Sequence, residues 1–166
     1  MSRWRPPGPP SSPYITRAGY TRLEVELGEL WGRRTDVVRH LAAAAAEGDR
    51  SENAEYIYRK RELAQIDRRI HYLQRRMPSL RVVDAPLERP ERVYFGAWVE
   101  LIDQDGCALR VRIVGSDELE PERNWISVDS PLARALLGRV EDDEVRIRTD
   151  AGLVEYVVTG VSYGPQ

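Results

Sequence analysis

Two runs of apolar residues, repeating in steps of three and four, dominate the first half of this 166-residue chain. The first run steps through Leu23, Leu27, Leu30, Val37, Leu41 and Ala44, with Arg34 at a skipped position. The second run steps through Leu63, Ile66, Ile70, Leu73 and Met77. This spacing places each run along one stripe of an α-helix. The sequence therefore predicts two helices that pack together as a coiled coil.

Residues that start and stop helices bound the two runs. Thr16 predicts an N-cap for the first helix, and Gly48 is the expected residue for a left-handed C-terminal cap. The second helix is predicted to resume by about Glu52 and to end at Pro78. Because few residues separate the stripes, we expect an antiparallel hairpin about 40 Å long. Asp49 and Glu52 are then predicted at its far tip.

After residue 90 the apolar period changes from helical to two. The segments VYFGAWVELI and ALRVRIVG flank the turn DQDG, and DEVRIRT and LVEYVVTGVSY flank DAG, so each pair predicts a β-hairpin. Between them, SPLARALL predicts a short helix with Ser130 as its cap and Pro131 at its first position. The second half is therefore predicted to be a compact antiparallel β-sheet domain with one short helix, which gives an α+β fold class overall.

Three segments follow from these patterns. Residues 1–13 hold five of the eleven prolines and predict a disordered lead-in. Residues 14–79 form the coiled-coil hairpin domain, and residues 80–166 form the C-terminal domain. Charge divides at nearly the same place, because residues 1–77 contain 15 Lys and Arg against 10 Asp and Glu, whereas residues 78–166 contain 10 against 17. This asymmetry predicts two parts with different partners.

Several classes of protein are excluded by composition. No apolar run approaches the roughly 18 residues of a membrane span, and the first residues lack the apolar stretch of a secretory signal. With Cys107 as the single cysteine and with only His40 and His71, no familiar zinc cluster can form. We expect a cytoplasmic protein that holds any metal through oxygen ligands.

Four stretches of the sequence resemble the bacterial Gre transcript cleavage factors over residues 14–164. They are YITRAGYTRLEVEL, GDRSENAEYIYRKRELAQIDRRIHYL, YFGAWVEL and ISVDSPLARALLG. Within them, GDRSENA, YIYRK and IDRRIHYL resemble the GreB branch rather than the GreA branch. The resemblance implies a coiled coil that enters the secondary channel of RNA polymerase and a C-terminal domain of FKBP-like fold that docks on the channel rim.

The function implied by the resemblance is that of a transcription elongation factor. Such a protein stimulates Mg-dependent cleavage of the 3′ RNA in backtracked complexes and so rescues arrested polymerase. It has no independent active site, and its partners are RNA polymerase and the nascent 3′ RNA. We expect a monomer. Two alternatives are a secondary-channel regulator of initiation or polymerase inhibitor without cleavage, and a nucleic-acid-binding coiled coil that acts apart from polymerase.

By the same resemblance, Asp49 and Glu52 match the acidic pair of the family tip, and Glu55 supports them. Carboxylates on a rigid arm can hold Mg²⁺ in a site that another protein completes, because Mg²⁺ prefers oxygen ligands and keeps several waters. Two metals about 3.5 to 4 Å apart stabilise both the attacking and the leaving oxygen of a phosphodiester displacement. Alternatively, Asp49 and Glu52 form a capping box, a role that leaves lone pairs for a metal.

Two further sets of residues are candidates for binding. GreB-like proteins carry a basic patch that guides RNA, and the matching residues are Arg59, Lys60, Arg61, Arg68 and Arg69, with Arg75 and Arg76 further along. The alternative is the solvated outer face of any coiled coil. Tyr56 and Tyr58 are candidates for stacking on bases, although a seam position is favoured for Tyr56.

The polymerase-binding set implied by the resemblance is Ser127, Asp129, Ser130 and Pro131. Its alternative is a capped helix that packs through Leu132, Leu136 and Leu137.

Overall fold

The computed structural model describes residues 11–46, 54–84, 91–149 and 152–164. The chain divides into two compact units, one of residues Tyr20–Leu80 and one that combines Met1–Gly19 with Arg81–Gln166. The end of the predicted disordered lead-in is hydrogen bonded, because the Ser12 N–H donates to Asp129 Oδ2 at 2.7 Å and the Arg81 N–H donates to Pro13 O at 2.7 Å. Residues 1–10 lie outside the described residues.

Two long helices follow the predicted pattern. Helix α1 spans Arg17–Ala46 and helix α2 spans Ala54–Arg76. Thr16 Oγ1 accepts a hydrogen bond from the Gly19 N–H at 3.0 Å, which confirms the predicted N-cap. A short 3₁₀ turn, Met77–Ser79, follows α2 and contains Pro78. The predicted cap at Gly48 and the predicted start near Glu52 lie outside the described residues. Within the described residues, neither long helix is apolar enough to cross a membrane.

The seam between the helices is narrow. Val37 of α1 packs with Ile66 and Ile70 of α2, and partly buried leucines extend the cluster on both helices. Ion pairs across the seam show the relative direction of the helices: Glu26 binds Arg69, Arg33 binds Glu62, and Arg34 binds Asp67. The pair nearest the start of α1 lies nearest the end of α2, and the two pairs further along α1 lie earlier on α2. The helices are therefore antiparallel, as predicted.

Strands of the other unit form two sheets. The small sheet pairs β1, Tyr14–Thr16, in parallel with β2, Arg81–Val83. The larger sheet has the order β5-β4-β3-β7-β6, with β3 Trp98–Asp103, β4 Ala108–Val114, β5 Trp125–Ser127, β6 Glu144–Thr149 and β7 Gly152–Ser162. Both predicted hairpins are present as antiparallel pairs, β3 with β4 and β6 with β7. The exception to antiparallel pairing is β5, which lies parallel to β4.

One face of the larger sheet builds the core. Alternate residues of β3 and β4, such as Val99, Leu101, Val111 and Ile113, are buried together with Leu136 of the short helix α3, Pro131–Leu136. The Ser130 side chain accepts a hydrogen bond from the Ala133 N–H, as expected for the predicted cap. The fold class is therefore α+β, as predicted from the sequence.

A buried carboxylate ties the start of α1 to the loop after β4. Glu118 is 4% exposed and accepts hydrogen bonds from the Thr16 N–H and hydroxyl and from the Gly115 N–H, at 2.6 to 2.9 Å. A Cβ added to Gly115 would lie 2.1 Å from Tyr14 O, so only glycine permits this approach. The network holds β1 against the end of β4 within this unit.

Candidate functional site

The outward side of α2 carries a column of cations. Arg61, Arg68 and Arg75 recur every seven residues, close to two helical turns, and all three are exposed. Lys60 lies beside Arg61 and is also exposed. Across the described ranges, none of these four side chains has an ion-pair partner, and Arg68 Nε donates to the carbonyl of Ala64 at 3.0 Å. The column is therefore accessible to an anionic ligand.

Two other members of the predicted basic patch are ion-paired. Arg59 Nε donates to Glu55 Oε1 at 2.8 Å and Arg59 Nη1 donates to Glu62 Oε2 at 3.1 Å. Arg69 binds both carboxylate oxygens of Glu26 on α1, at 2.6 and 2.8 Å. Paired charges of this kind add little to the attraction of a polyanion. The structure thus divides the predicted patch into outward residues, Lys60, Arg61 and Arg68, and paired residues, Arg59 and Arg69.

Glu62 is the most enclosed carboxylate of these pairs. Its side chain is 11% exposed and lies between Arg33 of α1, at 2.6 Å, and Arg59 of its own helix, at 3.1 Å. The hydrogen bond from Arg33 is the main cause that lowers the pKa of Glu62, with Arg59 adding to it and burial opposing it. The hydrogen bond to Glu55, followed by the one to Glu62, raises the pKa of Arg59, and burial opposes the shift. Glu62 therefore couples the two helices.

The outward column continues to the end of α2. An open groove of about 360 Å³ is lined by Arg68, His71, Tyr72, Arg75, Arg76 and Ser79. The Tyr72 ring is 44% exposed and lies beneath the Arg69 guanidinium, 5.2 Å from its Cζ. Cations and an exposed ring together are typical of surfaces that contact single-stranded nucleic acid.

The tyrosines near the start of α2 differ in exposure. Tyr56 is half-buried, and the seam position that the sequence favoured for it stays a prediction. Tyr58 is 59% exposed and stacks with the Arg59 guanidinium at 5.5 Å. Tyr58 is therefore the better placed of the two for contact with a base.

The predicted acidic site is only partly described. Glu55 lies in the first turn of α2, where its carboxylate is held by Arg59. Asp49 and Glu52, the predicted catalytic and metal-binding residues, lie outside the described residues. The described part of the chain contains no group of three or more His, Cys, Asp or Glu side chains arranged to hold a metal.

The predicted polymerase-binding residues come together between β5 and α3. Ser127 Oγ accepts from the Asp129 N–H at 3.0 Å, and Ser127 O accepts from the Ser130 N–H at 2.9 Å. Pro131 begins α3 and is exposed. The alternative role for this helix is met by Leu136, which is fully buried, and by Leu132, which packs on the core, whereas Leu137 is 37% exposed. Residues 127–137 therefore contribute both to the core and to an accessible loop.

Sequence reasoning missed the acidic partners of the basic helix and the buried Glu118. Glu26 lies on the other helix, 43 residues from Arg69, so spacing within α2 gave no sign of it. Glu118 lies in an acidic loop with no periodic pattern. The one available signal was the pair Gly19 and Gly115, since each glycine stands where a Cβ would clash.

Comparison with known proteins matches nearly the whole chain. The family model for the N-terminal part of the GreA/GreB transcription elongation factors matches residues 13–82, and the model for their C-terminal part matches residues 88–163. Among solved structures, GreA factor homolog 1 (Gfh1) of Thermus thermophilus is 26% identical, with 89% of this chain and 97% of that chain covered and a TM-score of 0.41.

Relatives of higher identity cover the same length. Transcription elongation factor GreB of Xanthomonas axonopodis pv. citri is 56% identical over 165 residues, which is 98% of each chain. Transcription elongation factor GreB of Pseudomonas aeruginosa is 52% identical over 166 residues, which is 99% of each chain. The family models and these relatives agree in both halves of the sequence. The chain therefore belongs to the GreA/GreB family of transcription elongation factors.

Proposed function

We propose that this protein is a GreB-type transcript cleavage factor. Its hairpin enters the secondary channel of RNA polymerase and stimulates Mg-dependent hydrolysis of the 3′ RNA in backtracked complexes, which rescues arrested polymerase. It acts as a monomer in the bacterial cytoplasm. The observation that carries the proposal is the antiparallel pairing of α1 and α2, because it brings Ala46 and Ala54 to the same end of the hairpin. The connection between them, residues 47–53, contains Asp49 and Glu52.

The donor chemistry of this connection suits magnesium. Asp49 and Glu52 supply carboxylate oxygens, the ligands that Mg²⁺ prefers, and two carboxylates leave most of the coordination sphere to waters and to a partner. When bound, the metal would stabilise charge on the attacking and leaving oxygens of the RNA phosphodiester. The site is therefore completed only in the complex with polymerase, so the protein is not an enzyme by itself.

The described residues of α2 support a path for the RNA. Lys60, Arg61 and Arg68 present charges without ion-pair partners among the described residues, on the helix that leads away from the acidic connection. Phosphates of the extruded 3′ segment would bind there, with an affinity that falls as salt rises. Arg59 holds Glu55 and Glu62, which supports the first turns of α2 rather than the RNA. Ser127, Asp129, Ser130 and Pro131 are proposed to contact the channel rim.

The proposal is tested with a stalled, backtracked elongation complex that carries labelled RNA. The variant Asp49→Asn/Glu52→Gln should reduce stimulated cleavage by about 10²- to 10³-fold, because it removes groups that stabilise developing charge. It should still compete with the unchanged protein for polymerase. Glu24→Gln, which removes an exposed carboxylate from α1, is the matched control and should cleave normally.

Two results would overturn the proposal. One is full activity of the double variant. The other is binding of the unchanged protein to polymerase without any stimulated cleavage, which would favour the alternative role as a channel regulator or inhibitor.

A further inference from the structure

A backbone hydrogen bond ties the segment before α1 to one of the proposed polymerase-binding residues. The Ser12 N–H donates to Asp129 Oδ2 at 2.7 Å, across 117 positions of the chain. The acceptor is a carboxylate, so the bond is charge-assisted, and such bonds are shorter and stronger than those between neutral groups. The Asp129 side chain is 34% exposed. The bond therefore restricts the orientation of a carboxylate that a partner can still reach.

Contacts further along the same segment, residues 12–16, fix the position of this donor. The Pro13 carbonyl accepts a hydrogen bond from the Arg81 N–H at 2.7 Å. The Thr16 N–H and hydroxyl donate to the buried Glu118 carboxylate at 2.9 and 2.6 Å. We call these residues the leading segment. Because the leading segment is anchored beyond the donor, the orientation of the acceptor carboxylate is set before any partner arrives, which lowers the cost of binding.

The second carboxylate oxygen of Asp129 has a looser contact. Arg134 Nη2 lies 3.9 Å from Asp129 Oδ1, and the Arg134 side chain is 66% exposed. A pair at this distance and exposure is weak, so a cation of a partner can replace Arg134. The loop around Asp129 is held independently, because the Asp129 N–H donates to Ser127 Oγ at 3.0 Å and the Val128 N–H donates to Val114 O at 2.8 Å.

We propose that the leading segment is a positioning element of the polymerase-docking surface. The Ser12 N–H holds Asp129 Oδ2, so that Asp129 Oδ1 is presented to a lysine or arginine of the polymerase. Ser12 acts through Asp129 and does not itself contact the partner. The inference rests on the proposed function, because it concerns the same docking loop, and it adds to that loop a segment from the other end of the chain.

The charge of the surrounding domain favours a cationic partner surface. Residues 78–166 contain 10 Lys and Arg against 17 Asp and Glu, so the field around the docking loop attracts positive charge. The opposite role for the leading segment would be to block Asp129. Blocking makes the opposite prediction, because breaking the bond from Ser12 would then strengthen binding to polymerase.

The test measures docking and cleavage separately in a stalled, backtracked elongation complex that carries labelled RNA. Ser12→Pro removes the N–H donor. It should raise the protein concentration for half-maximal cleavage by about three- to tenfold and leave both the cleavage rate at saturation and the melting temperature unchanged. Ser12→Ala keeps the N–H and should raise that concentration much less.

Ser11→Pro is the matched control. It places the same ring one residue earlier, at an N–H for which the described part of the chain shows no hydrogen bond. Its half-maximal concentration should equal that of the unchanged protein.

A double-mutant cycle distinguishes lost positioning from damage to the fold. Asp129→Ala removes the acceptor and should raise the half-maximal concentration at least as much as Ser12→Pro does. Added to Asp129→Ala, Ser12→Pro should have no further effect, because the two residues act through one bond. Damage caused by the proline would instead persist in the Asp129→Ala background.

Three results would overturn the inference while the unchanged protein stimulates cleavage normally. They are an unaffected Ser12→Pro variant, tighter docking of that variant, and additive effects in the cycle. If the unchanged protein stimulates no cleavage at all, the proposed function fails and this inference fails with it.

Discussion

The hairpin and the sheet domain are stabilised in different ways. In the sheet domain a continuous cluster that includes Val99, Leu101, Ile113 and Leu136 is almost fully buried. In the hairpin the buried cluster is small, with Val37 as its only fully buried member on α1 among the described residues, and ion pairs flank it on both sides. A thin seam buries little apolar area, so charged side chains contribute relatively more there.

The charged residues of the hairpin fall into two groups with different roles. Arg59 and Arg69 are held by carboxylates and stabilise the helices, whereas Lys60, Arg61 and Arg68 point outward without ion-pair partners in the described ranges. A hairpin of only two helices has no further layer with which to enlarge its core. The role of each charged residue in the hairpin therefore depends on the helix face on which it lies.

The largest expected effect is a loss of stability that is greater for a substitution in the sheet core than for one in the hairpin seam. Leu101→Ala, at a site 1% exposed in the central part of the sheet, should lower the free energy of unfolding by about 3 to 5 kcal/mol. Ile66→Ala in the seam, where neighbours are fewer, should cost about 2 to 3 kcal/mol. Denaturant unfolding of both variants, followed by tryptophan fluorescence and by helical circular dichroism, measures the two values. A larger loss for Ile66→Ala would contradict the comparison.

The same substitution should have opposite effects in the two regions. Gly115→Ala places a Cβ 2.1 Å from the backbone oxygen of Tyr14 and should cost about 1 to 3 kcal/mol of stability. Gly32→Ala in α1 meets nothing within 4 Å and should stabilise the helix by up to about 1 kcal/mol. Melting temperatures of the two variants give the signs directly. A stable Gly115→Ala variant would show that β1 can move away from β4.

Much of the fold was accessible from the sequence because it rests on local patterns. The two stripes, the caps at Thr16 and Ser130 and both β-hairpins are set by neighbours within a few residues. The parallel strands were not predicted. β1 and β2 are three residues each and pair across more than 60 positions, and β5 returns to β4 after an irregular segment, so neither pairing leaves a periodic trace.

The candidate site was likewise predictable from the sequence only in part. Arg59 and Arg61 look alike in sequence, and only the helix face and the partners on each side distinguish them. Asp49 and Glu52 were found through the family resemblance, and their catalytic role stays a prediction.

A smaller effect is expected from the ion pairs of the seam. Glu62→Gln should lower stability by about 1 kcal/mol at pH 7, because it removes the charge that Arg33 and Arg59 bind. The folded-state pKa of Glu62 is lowered, so its contribution is present above the unfolded pKa of about 4.3 and is lost as pH falls through the lower folded value. Melting curves from pH 7 to pH 3 should therefore show the gap between the two proteins closing below about pH 4.

Glu24→Gln serves as the control for this titration, since Glu24 is an exposed carboxylate on the same helix pair. Its melting temperature should follow that of the unchanged protein at every pH. A gap for Glu62→Gln that stays constant down to pH 3 would show that shape, and not charge, is what Glu62 contributes.

The division between inward and outward charges is tested most directly by measuring stability and RNA cleavage on the same preparations. Lys60→Ala/Arg61→Ala should change the free energy of unfolding by no more than about 0.5 kcal/mol, yet weaken cleavage of long backtracked RNA more than of short RNA, most strongly at low salt. Arg59→Ala should lower the melting temperature, because Glu55 and Glu62 lose their partner, and should affect long and short RNA alike. If the outward double variant loses stability while cleaving both RNAs normally, the assignment of the outward cations to RNA is wrong.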